Sequence, residues 1–244
     1  MNNHSTLVLI PARFGSTRLK GKPLRLLNNR PLVLSVADMA SKIKSVDKII
    51  IATDHEKIFN IVTNEGFEAV MTSPLAKSGT DRIGEVARKY KDSQYIVNLQ
   101  SDEPFFNPAD IERALRKMKK NDSCNVASLY YKSGPQILND KNIVKVVVDK
   151  NSYALYFSRA PIPYDRDGDA LEIPIYKHIG IYIYRRDYLM RFLRLKESTL
   201  ERVEKLEQLR ILEDGEKIFM IESKSDSIGI DTETDLKNAN KLRR

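Results

Sequence analysis

The stretch "LVLIPARFGSTRLKGKPL", residues 7–24, decides the fold class. The run "TLVLIP" at 6–11 is continuously apolar and of strand length, which is typical of a strand buried on both faces of a parallel sheet. The loop that follows carries two glycines and four cations: Gly15, Gly21, Arg13, Arg18, Lys20 and Lys22. Glycines let the backbone approach an anion, and backbone N–H groups with cations can surround phosphate oxygens. The stretch therefore predicts a buried strand that leads into an anion-binding loop, with an ordinary basic surface loop as the alternative.

The segment "GSTRLKGKP", residues 15–23, comes close to the Walker A pattern G-x-x-x-x-G-K-[ST] but departs from it twice. The interval between its glycines is one residue too long, and Pro23 replaces the hydroxyl that would bind magnesium. A residue before proline is biased away from helical geometry, so we do not expect a helix to begin at Lys22. If a triphosphate binds, its metal must be held by other residues.

Outside this stretch, short β-rich runs alternate with amphipathic segments. The runs predict strands at 6–11, 46–53, 68–73, 95–100 and 124–131. The amphipathic segments predict helices at 31–45, with Pro31 in the first turn, and at 55–66, 81–91 and 107–120, with Asn107 as a cap. This alternation predicts an α/β fold with a doubly wound, mostly parallel sheet.

The rhythm changes between about Lys132 and Thr199, where strand-like runs and a proline-rich turn follow each other closely. We interpret 132–199 as a β-rich excursion from the sheet. A strong helix at 200–215, a strand at 217–223 and a terminal helix at 231–244 then complete a single unit, 1–244.

The composition of the 244 residues, 41% hydrophobic and 30% charged, is that of a soluble globular protein. No apolar run approaches the roughly 18–20 residues of a membrane span, and a single cysteine, Cys124, permits no internal disulfide. A cytoplasmic protein is the simplest interpretation. The net charge of +8 is scattered among acidic residues and forms no stripe with aromatic residues, so we expect neither a nucleic-acid partner nor a membrane.

Ligands of a doubly wound sheet bind beyond the carboxyl ends of its strands, and polar loops follow predicted strands at 12–22, 73–80 and 100–106. Asp102 and Glu103 come directly after a predicted buried strand, and Asp231 follows the run "SIGI". Magnesium prefers one or two carboxylates, with phosphates and waters completing its shell. These acids are therefore candidate ligands; the alternative is a turn or helix-capping role, above all for Asp231.

Two further groups of polar residues are candidates for ligand binding. Ser78, Gly79 and Thr80 precede a predicted helix and can contact a base or ribose, although Thr80 can equally cap that helix. Strand alternation places His178, Gly180 and Tyr182 on one face, where His178 and Arg159 would suit a carboxylate; a lone histidine is more often structural. Glu207 and Gln208 are expected within the helix 200–215, where a solvated face is the ordinary interpretation.

Taken together, the chain closely resembles the 3-deoxy-D-manno-octulosonate (Kdo) cytidylyltransferase family. The matching stretches, in family order, are "IPARFGSTRLKGKPL", "IATDHE", "MTSPLAKSGTDR", "NLQSDEP", "VKVVVDKNSYALYFSRAPIPYDRD", "KHIGIYIYR", "LEQLRILEDGEKI" and "GIDTETDL". The resemblance implies a nucleotide-diphospho-sugar transferase-like fold, a homodimer, and transfer of CMP from CTP to Kdo, an acidic eight-carbon sugar. The product would serve bacterial lipopolysaccharide or capsule synthesis.

The resemblance also implies roles for individual residues. It makes Arg13, Lys22 and Asp102 catalytic. It assigns the nucleotide to Arg13, Gly15, Ser16, Lys22, Ser78, Gly79, Thr80 and Arg82. It assigns the sugar to Gln100, Arg159, His178, Tyr182, Glu207 and Gln208, and Mg²⁺ to Asp102 and Asp231. The excursion 132–199 would supply part of the sugar pocket and the dimer contact.

Two positions depart from the family pattern. Ser101 replaces the glycine of Q-G-D-E-P, and Ile183 stands where a small residue is usual. Either change can alter the accepted sugar or slow the reaction. The alternatives are therefore a synthetase for 8-amino-Kdo or a sialic-type acid, an inactive synthetase, and a basic nucleic-acid-binding module.

Overall fold

The computed structural model describes residues 5–15, 19–166 and 173–241. Its strands are β1 (Ser5–Ala12), β2 (Leu26–Leu27), β3 (Arg30–Pro31), β4 (Lys48–Thr53), β5 (Glu68–Met71), β6 (Ser93–Asn98), β7 (Val126–Ser133), β8 (Lys145–Val148), β9 (Ala154–Ser158), β10 (Ile175–Arg185) and β11 (Ile218–Ser223). Its helices are α1 (Leu32–Ala40), α2 (Glu56–Asn64), α3 (Gly79–Ala87), α4 (Pro108–Lys120), α5 (Arg186–Phe192), α6 (Thr199–Glu204), α7 (Gln208–Glu213) and α8 (Glu233–Lys241). Within these residues no helix is both long and apolar enough to cross a membrane.

A nine-stranded mixed sheet forms the centre of the molecule. Seven strands lie in the order β11-β7-β10-β6-β1-β4-β5, while β8 pairs with β10 and β9 pairs with β8. Strands β6, β1, β4 and β5 are mutually parallel, and β11 is parallel to β7. Only β10 is antiparallel to both of its neighbours in that row, β6 and β7. The predicted α/β fold with a mostly parallel sheet is confirmed.

Hydrophobic cores cover both faces of the sheet. Ile10, Val97 and Ile183 pack with helices α1, α2 and α4 on one face. Leu9, Ile96 and Tyr184 pack with α3, α5 and α7 on the other. Because successive strand residues point to opposite faces, a strand covered on both sides must be apolar throughout, as the run at 6–11 is.

Strand β10 belongs to the middle of the sheet, although its sequence falls within the predicted excursion. Its second half, from Tyr182 to Arg185, pairs with β6, and Tyr182 lies opposite Asn98, the last residue of β6. Its first half pairs with β7 and β8. Since β10 runs antiparallel to β6, residues 175–181 extend past the carboxyl end of β6. The rest of the excursion includes β8 and β9, at the margin of the sheet.

The predicted single helix over 200–215 is wrong, because two short helices, α6 and α7, occupy this range. The chain breaks at Lys205, whose backbone is left-handed with φ 55°. After the break Leu206 and Leu209 are buried, whereas Val203 remains 74% exposed. The change of direction thus serves core packing.

Two helix starts also differ from expectation. Ser78, not Thr80, caps α3: its hydroxyl accepts from Asp81 N at 3.0 Å while Asp81 returns a bond to Ser78 N. Thr80 is therefore inside the first turn. Pro31 lies immediately before α1 rather than in its first turn. At α4 the expectation is confirmed, since Asn107 accepts from Ala109 N at 3.1 Å.

Candidate active site

A cleft lies beyond the carboxyl ends of β1, β5 and β6, where the sequence predicts ligand-binding loops. Its walls are formed by Pro11, Arg13, Lys22, Pro23, Ala76, Lys77, Ser78, Gly79, Arg82, Gln100, Ser101, Asp102 and Asp231. The parallel pairings of β6 with β1, of β1 with β4 and of β4 with β5 bring the carboxyl ends of these strands to one edge of the sheet. Predicted phosphate-binding, base-contacting and metal-binding residues therefore share one cavity.

Lys22 is placed in this cleft by a tight turn. Gly21 has φ 65°, a left-handed conformation that favours glycine, and a three-residue 3₁₀ turn, Lys22–Leu24, follows it. We expected no helix to begin at Lys22, but a single 3₁₀ turn does begin there, and Pro23 is its second residue. The turn is too short to supply the helix that a Walker loop requires.

The ammonium of Lys22 contacts both predicted magnesium ligands. Its Nζ donates to Asp102 Oδ2 and, at 2.9 Å, to Asp231 Oδ1. Burial lowers the pKa of Lys22, but the Asp102 and Asp231 carboxylates outweigh this effect, so the pKa is raised. Lys22 is therefore a permanent cation in the cleft.

The loop before Asp231 is fixed by a backbone bond, from Ile230 N to Asp102 O at 2.9 Å. The alternative capping role of Asp231 is taken by its neighbours: Thr232 N donates to Asp235 Oδ2 at 2.8 Å, and Asp235 N donates to Thr232 Oγ1 at 3.1 Å. The side chain of Asp231 is thereby left to face Lys22 and Asp102.

The donor set fits magnesium. Asp102 and Asp231 offer hard carboxylate oxygens that converge on one cationic atom. Magnesium commonly takes one or two carboxylates from a protein when phosphates and waters complete its octahedron. Among the described residues, no group of three or more His, Cys, Asp or Glu side chains could hold a metal without a substrate. The protein's share of a metal site here would be these two carboxylates.

Glu103 points away from the two carboxylates. Its Oε2 accepts a hydrogen bond from Ser227 Oγ, on the loop that leads to Asp231. Burial, reinforced by the Asp102 charge, raises the pKa of Glu103 to about 7. On the same loop, Lys177 Nζ donates to Asp226 Oδ1 at 2.8 Å and to Ser227 O at 2.9 Å. These contacts tie the loop to β10.

Arg82 lines the cleft, but its charge is balanced from the protein side. Its guanidinium donates to Asp54 Oδ2 at 2.7 Å and to Thr72 Oγ1 at 2.6 Å. Asp54 also accepts from Phe14 N at 3.2 Å, and so connects Arg82 to the basic loop. Asp54 was not predicted as a site residue, although its place directly after β4, at the ligand edge, was an available signal.

Some described residues of the basic loop are exposed, Lys20 among them. Arg13 and Gly15 are both solvent-accessible, and a side chain at Gly15 would meet no atom within 4 Å. Phe14 between them stacks on His55 with ring centroids 4.0 Å apart. Ser16 and Arg18 lie outside the described residues.

On the side of the cleft toward α7, four predicted or newly identified residues form a chain of polar contacts. Gln100 Nε2 donates to Asn98 Oδ1 at 3.1 Å, and Asn98 Nδ2 donates to Thr80 Oγ1 at 3.2 Å. Burial raises the pKa of Glu207 to about 7, and a hydrogen bond from Thr80 opposes part of this rise. Glu207 precedes α7 instead of lying on a solvated helical face, and the adjoining Gln208 is buried.

His178 and Tyr182 share one face of β10, as predicted, with ring centroids 5.5 Å apart. His178 also stacks edge-on against Phe157, and its Nε2 lies 3.0 Å from Ser128 Oγ. Burial lowers the pKa of His178 to about 3, so its imidazole is neutral at physiological pH.

Arg159 has a separate set of partners. Its Nε donates to Glu204 O at 3.2 Å, and its guanidinium also donates to Lys141 O at 3.0 Å. The fully buried Lys145 donates to Arg159 O at 2.6 Å and fixes the backbone there. Arg159 and His178 are thus each held by different partners.

The two departures from the family pattern occupy different environments. Ser101 is 8% exposed and lines the cleft beside Asp102. Ile183 is fully buried between Val97 of β6 and Ala127 of β7. It packs on the face opposite to Tyr182, so the expectation that Ile183 alters sugar choice has no contact to support it.

Cys124 is buried, and burial raises the pKa of its thiol to about 11. The thiol is therefore protonated at physiological pH and is a poor nucleophile, as expected.

The chain is similar to known proteins along most of its length. A family model described as cytidylyltransferase matches residues 7–218. A 3-deoxy-manno-octulosonate cytidylyltransferase from Thermodesulfovibrio yellowstonii is 44% identical, covering 97% of each chain. An 8-amino-3,8-dideoxy-manno-octulosonate cytidylyltransferase from a Shewanella species is 43% identical, over 94% of this chain and 95% of its own. A solved CMP-2-keto-3-deoxy-manno-octonic acid synthetase, complexed with CTP, superposes with a TM-score of 0.91 at 38% identity, covering 97% of both chains.

Proposed function

The chain belongs to the cytidylyltransferase family, and from this membership we propose that it transfers CMP from CTP to the anomeric hydroxyl of Kdo, releasing pyrophosphate. The observation that carries the proposal is the meeting of Arg13, Lys22, Asp102 and Asp231 in one cleft at the carboxyl edge of the sheet. A triphosphate bound in this cleft would therefore meet both the cations that neutralise it and the carboxylates that hold its metal. The likeness to a CTP complex supports the choice of nucleotide.

In this reaction the sugar hydroxyl oxygen attacks the α-phosphorus in line, and the bond from that phosphorus to the bridging oxygen breaks. Pyrophosphate leaves with the bonding electrons, and the proton of the attacking hydroxyl passes to solvent water. Lys22 and Arg13 offset the negative charge that develops on phosphate oxygens. No covalent enzyme intermediate is needed, which agrees with the protonated state of Cys124.

We include magnesium in the proposal, with Asp102 and Asp231 as its protein ligands. When bound, the ion would act as a Lewis acid on phosphate oxygens. The support is the convergence of both carboxylates on one cationic atom, the Lys22 ammonium.

The acidic sugar is proposed to lie between the cleft and the first half of β10, against Gln100, Glu207 and the His178–Tyr182 face. The neutral His178 provides a hydrogen-bonding group without charge. Anchored by backbone carbonyl groups, the Arg159 guanidinium remains available as the cation for the sugar carboxylate.

The 8-amino analogue of Kdo is the second candidate, because identity to its synthetase, 43%, nearly equals the 44% to a Kdo enzyme. Incubation with CTP, magnesium and either Kdo, 8-amino-Kdo or a sialic-type acid decides between them by product mass and pyrophosphate release. We expect CMP-Kdo. Reaction with another acid but not with Kdo would overturn the substrate, and no reaction with any acid would overturn the function.

We also propose a homodimer, joined through the excursion. Among the residues of the excursion that the structure describes, three large apolar side chains are exposed: Leu155 at 60%, Tyr164 at 82% and Ile173 at 48%. Apolar surface of this kind is typical of a subunit contact. A cytoplasmic location and a role in lipopolysaccharide or capsule synthesis complete the proposal.

A further inference from the structure

The chain of contacts from Gln100 through Asn98 and Thr80 to Glu207 connects the nucleotide cleft to the sugar side. Its two central members are buried, with Asn98 1% and Thr80 5% exposed. Asn98 ends β6 opposite Tyr182, and Thr80 lies in the first turn of α3. Rigid elements therefore hold the middle of the chain, while its two ends are proposed to face substrate.

Hydrogen-bond chemistry fixes which group donates and which accepts at every step of this chain of contacts. Above its pKa of about 7, Glu207 is ionised and can only accept, so the Thr80 hydroxyl must donate to it. Because its one O–H is used in this bond, the Thr80 oxygen can only accept from Asn98. Asn98 must therefore turn its NH₂ group toward Thr80. The Asn98 carbonyl is left to face Gln100, whose NH₂ group donates to it. Each donor follows from the one before, starting from the carboxylate.

The consequence falls on the free end of Gln100. With its NH₂ group engaged by Asn98, its carbonyl oxygen Oε1 is directed elsewhere, and a side-chain atom added at Gly79 in the cleft wall would lie only 3.4 Å from it. Gln100 thus presents an acceptor, and Glu207 at the other end is also an acceptor. Two acceptors suit a substrate rich in hydroxyl donors, as a sugar is.

We propose that Asn98 is a positioning residue for the sugar: it sets the direction of this chain and so makes Gln100 and Glu207 present acceptors to the sugar hydroxyls. This inference rests on the proposed function and deepens it. Asn98 contacts neither reactant; it acts through the two residues that do.

The variant Asn98→Asp tests this role with almost no change in volume. The introduced carboxylate can only accept, so Thr80 is drawn to donate to it and releases Glu207. We expect the KM for Kdo to rise about tenfold while the KM for CTP stays within about twofold, since one hydrogen bond is worth roughly that factor. An equal rise in both KM values, or no rise, would contradict a role directed at the sugar.

A double-mutant cycle with Glu207→Gln separates positioning from general damage. The amide that this change introduces can donate to Thr80, so the chain tolerates a carboxylate at position 98 when both changes are present. We therefore expect Asn98→Asp to raise the KM for Kdo less than about threefold in the Glu207→Gln background. If the rise in the KM for Kdo in the double variant equals the product of the rises in the two single variants, residues 98 and 207 are not coupled and the inference is wrong.

Controls keep the outcomes distinct. Ser223→Ala removes a buried hydroxyl that is bonded to Asp110 and does not line the cleft, and it should leave the KM for Kdo unchanged. Should Asn98→Asp fail to fold, Thr80→Val breaks the same chain isosterically and must give the same sugar-specific rise. Turnover of Kdo by the parent tests the proposed function itself, so failure of the function and failure of the inference are distinguishable.

Discussion

Lys22 and its two carboxylate partners illustrate how one side chain can serve two purposes. Its ammonium contacts Asp102 and Asp231, which holds two loops together that are about 130 residues apart in the sequence. The same cation would face the phosphates of a bound nucleotide. The glycine before it, with φ 65°, is what allows the loop to turn Lys22 inward.

Asp102→Asn tests the metal role most directly. The amide keeps the volume but loses the charge, so we expect magnesium-dependent pyrophosphate release to fall at least about 100-fold. Thermal unfolding should show an intact fold. The exposed Asp122 pairs with Arg185 on the far side of β10, and Asp122→Asn is the matched control. Near-parental turnover of Asp102→Asn would remove Asp102 from the metal site.

His178 makes stability depend on pH in a direction that its pKa fixes. The folded pKa is about 3 and the unfolded value about 6.5, so the unfolded chain binds the proton more readily. This contribution to stability is complete above pH 6.5 and is lost as pH falls toward 3. Between pH 7.5 and pH 5 we expect His178 to account for a loss of about 2 kcal/mol in unfolding free energy.

Urea unfolding of the parent and of His178→Gln at both pH values measures the contribution of His178. It is the difference between the two proteins in the unfolding free energy lost between pH 7.5 and pH 5. The variant should lose less stability on acidification. His55, which accepts a hydrogen bond from Lys57 N at the start of α2, provides the control His55→Asn, for which the parental pH dependence should persist. An unchanged pH dependence in His178→Gln would show that His178 is not buried in the neutral form.

At the scale of secondary-structure elements, the periodicity of the sequence predicted most strands and helices because their apolar patterns match the burial they find. The exception at 200–215 has a physical cause. A left-handed backbone is usually supplied by glycine or asparagine, and Lys205 carries no such signal. The break depends on packing of Leu206 and Leu209, which pattern alone does not reveal.

The candidate site divides in the same way. Residues in the loops after strands, such as Asp102 and Ser78, could be predicted to line the cleft because parallel strands end at one edge. Asn98 and Asp54 act on other side chains, and their partners Thr80 and Arg82 are distant in sequence. Asn98 carries no local signal of this role, and Asp54 carries only its place directly after β4. The pairing of β10 with β6 is likewise non-local, which is why its sequence was assigned to the excursion.

Lys205→Gly tests the cost of the break between α6 and α7. Glycine adopts φ 55° without the strain of a Cβ atom, so we expect an increase of about 0.5–1 kcal/mol in unfolding free energy and a Tm higher by about 2 °C. Lys205→Ala, which removes the same charge but keeps Cβ, should give no gain. Equal Tm values for the two variants would mean that the backbone here is unstrained.

For the whole molecule, the exposed apolar residues of the excursion predict the oligomeric state. Leu155→Asp places a charge on the proposed contact, and we expect light scattering to show a monomer where the parent is a dimer. The control Leu75→Asp changes another exposed leucine, 85% accessible on the loop after β5. A parent that is monomeric, or a Leu155→Asp variant that remains dimeric, would refute this contact.

The position of β10 also has a consequence for how the chain acquires its structure during synthesis. Strands β5, β4, β1 and β6 can form a parallel half-sheet as soon as residue 98 is available. Strand β7 is made next, but only β10 joins it to β6, and Tyr182 is more than 80 residues later than its partner Asn98. Until then the edge of β6 is open to pairing with other chains. Union of the two half-sheets is therefore the late, long-range step of folding.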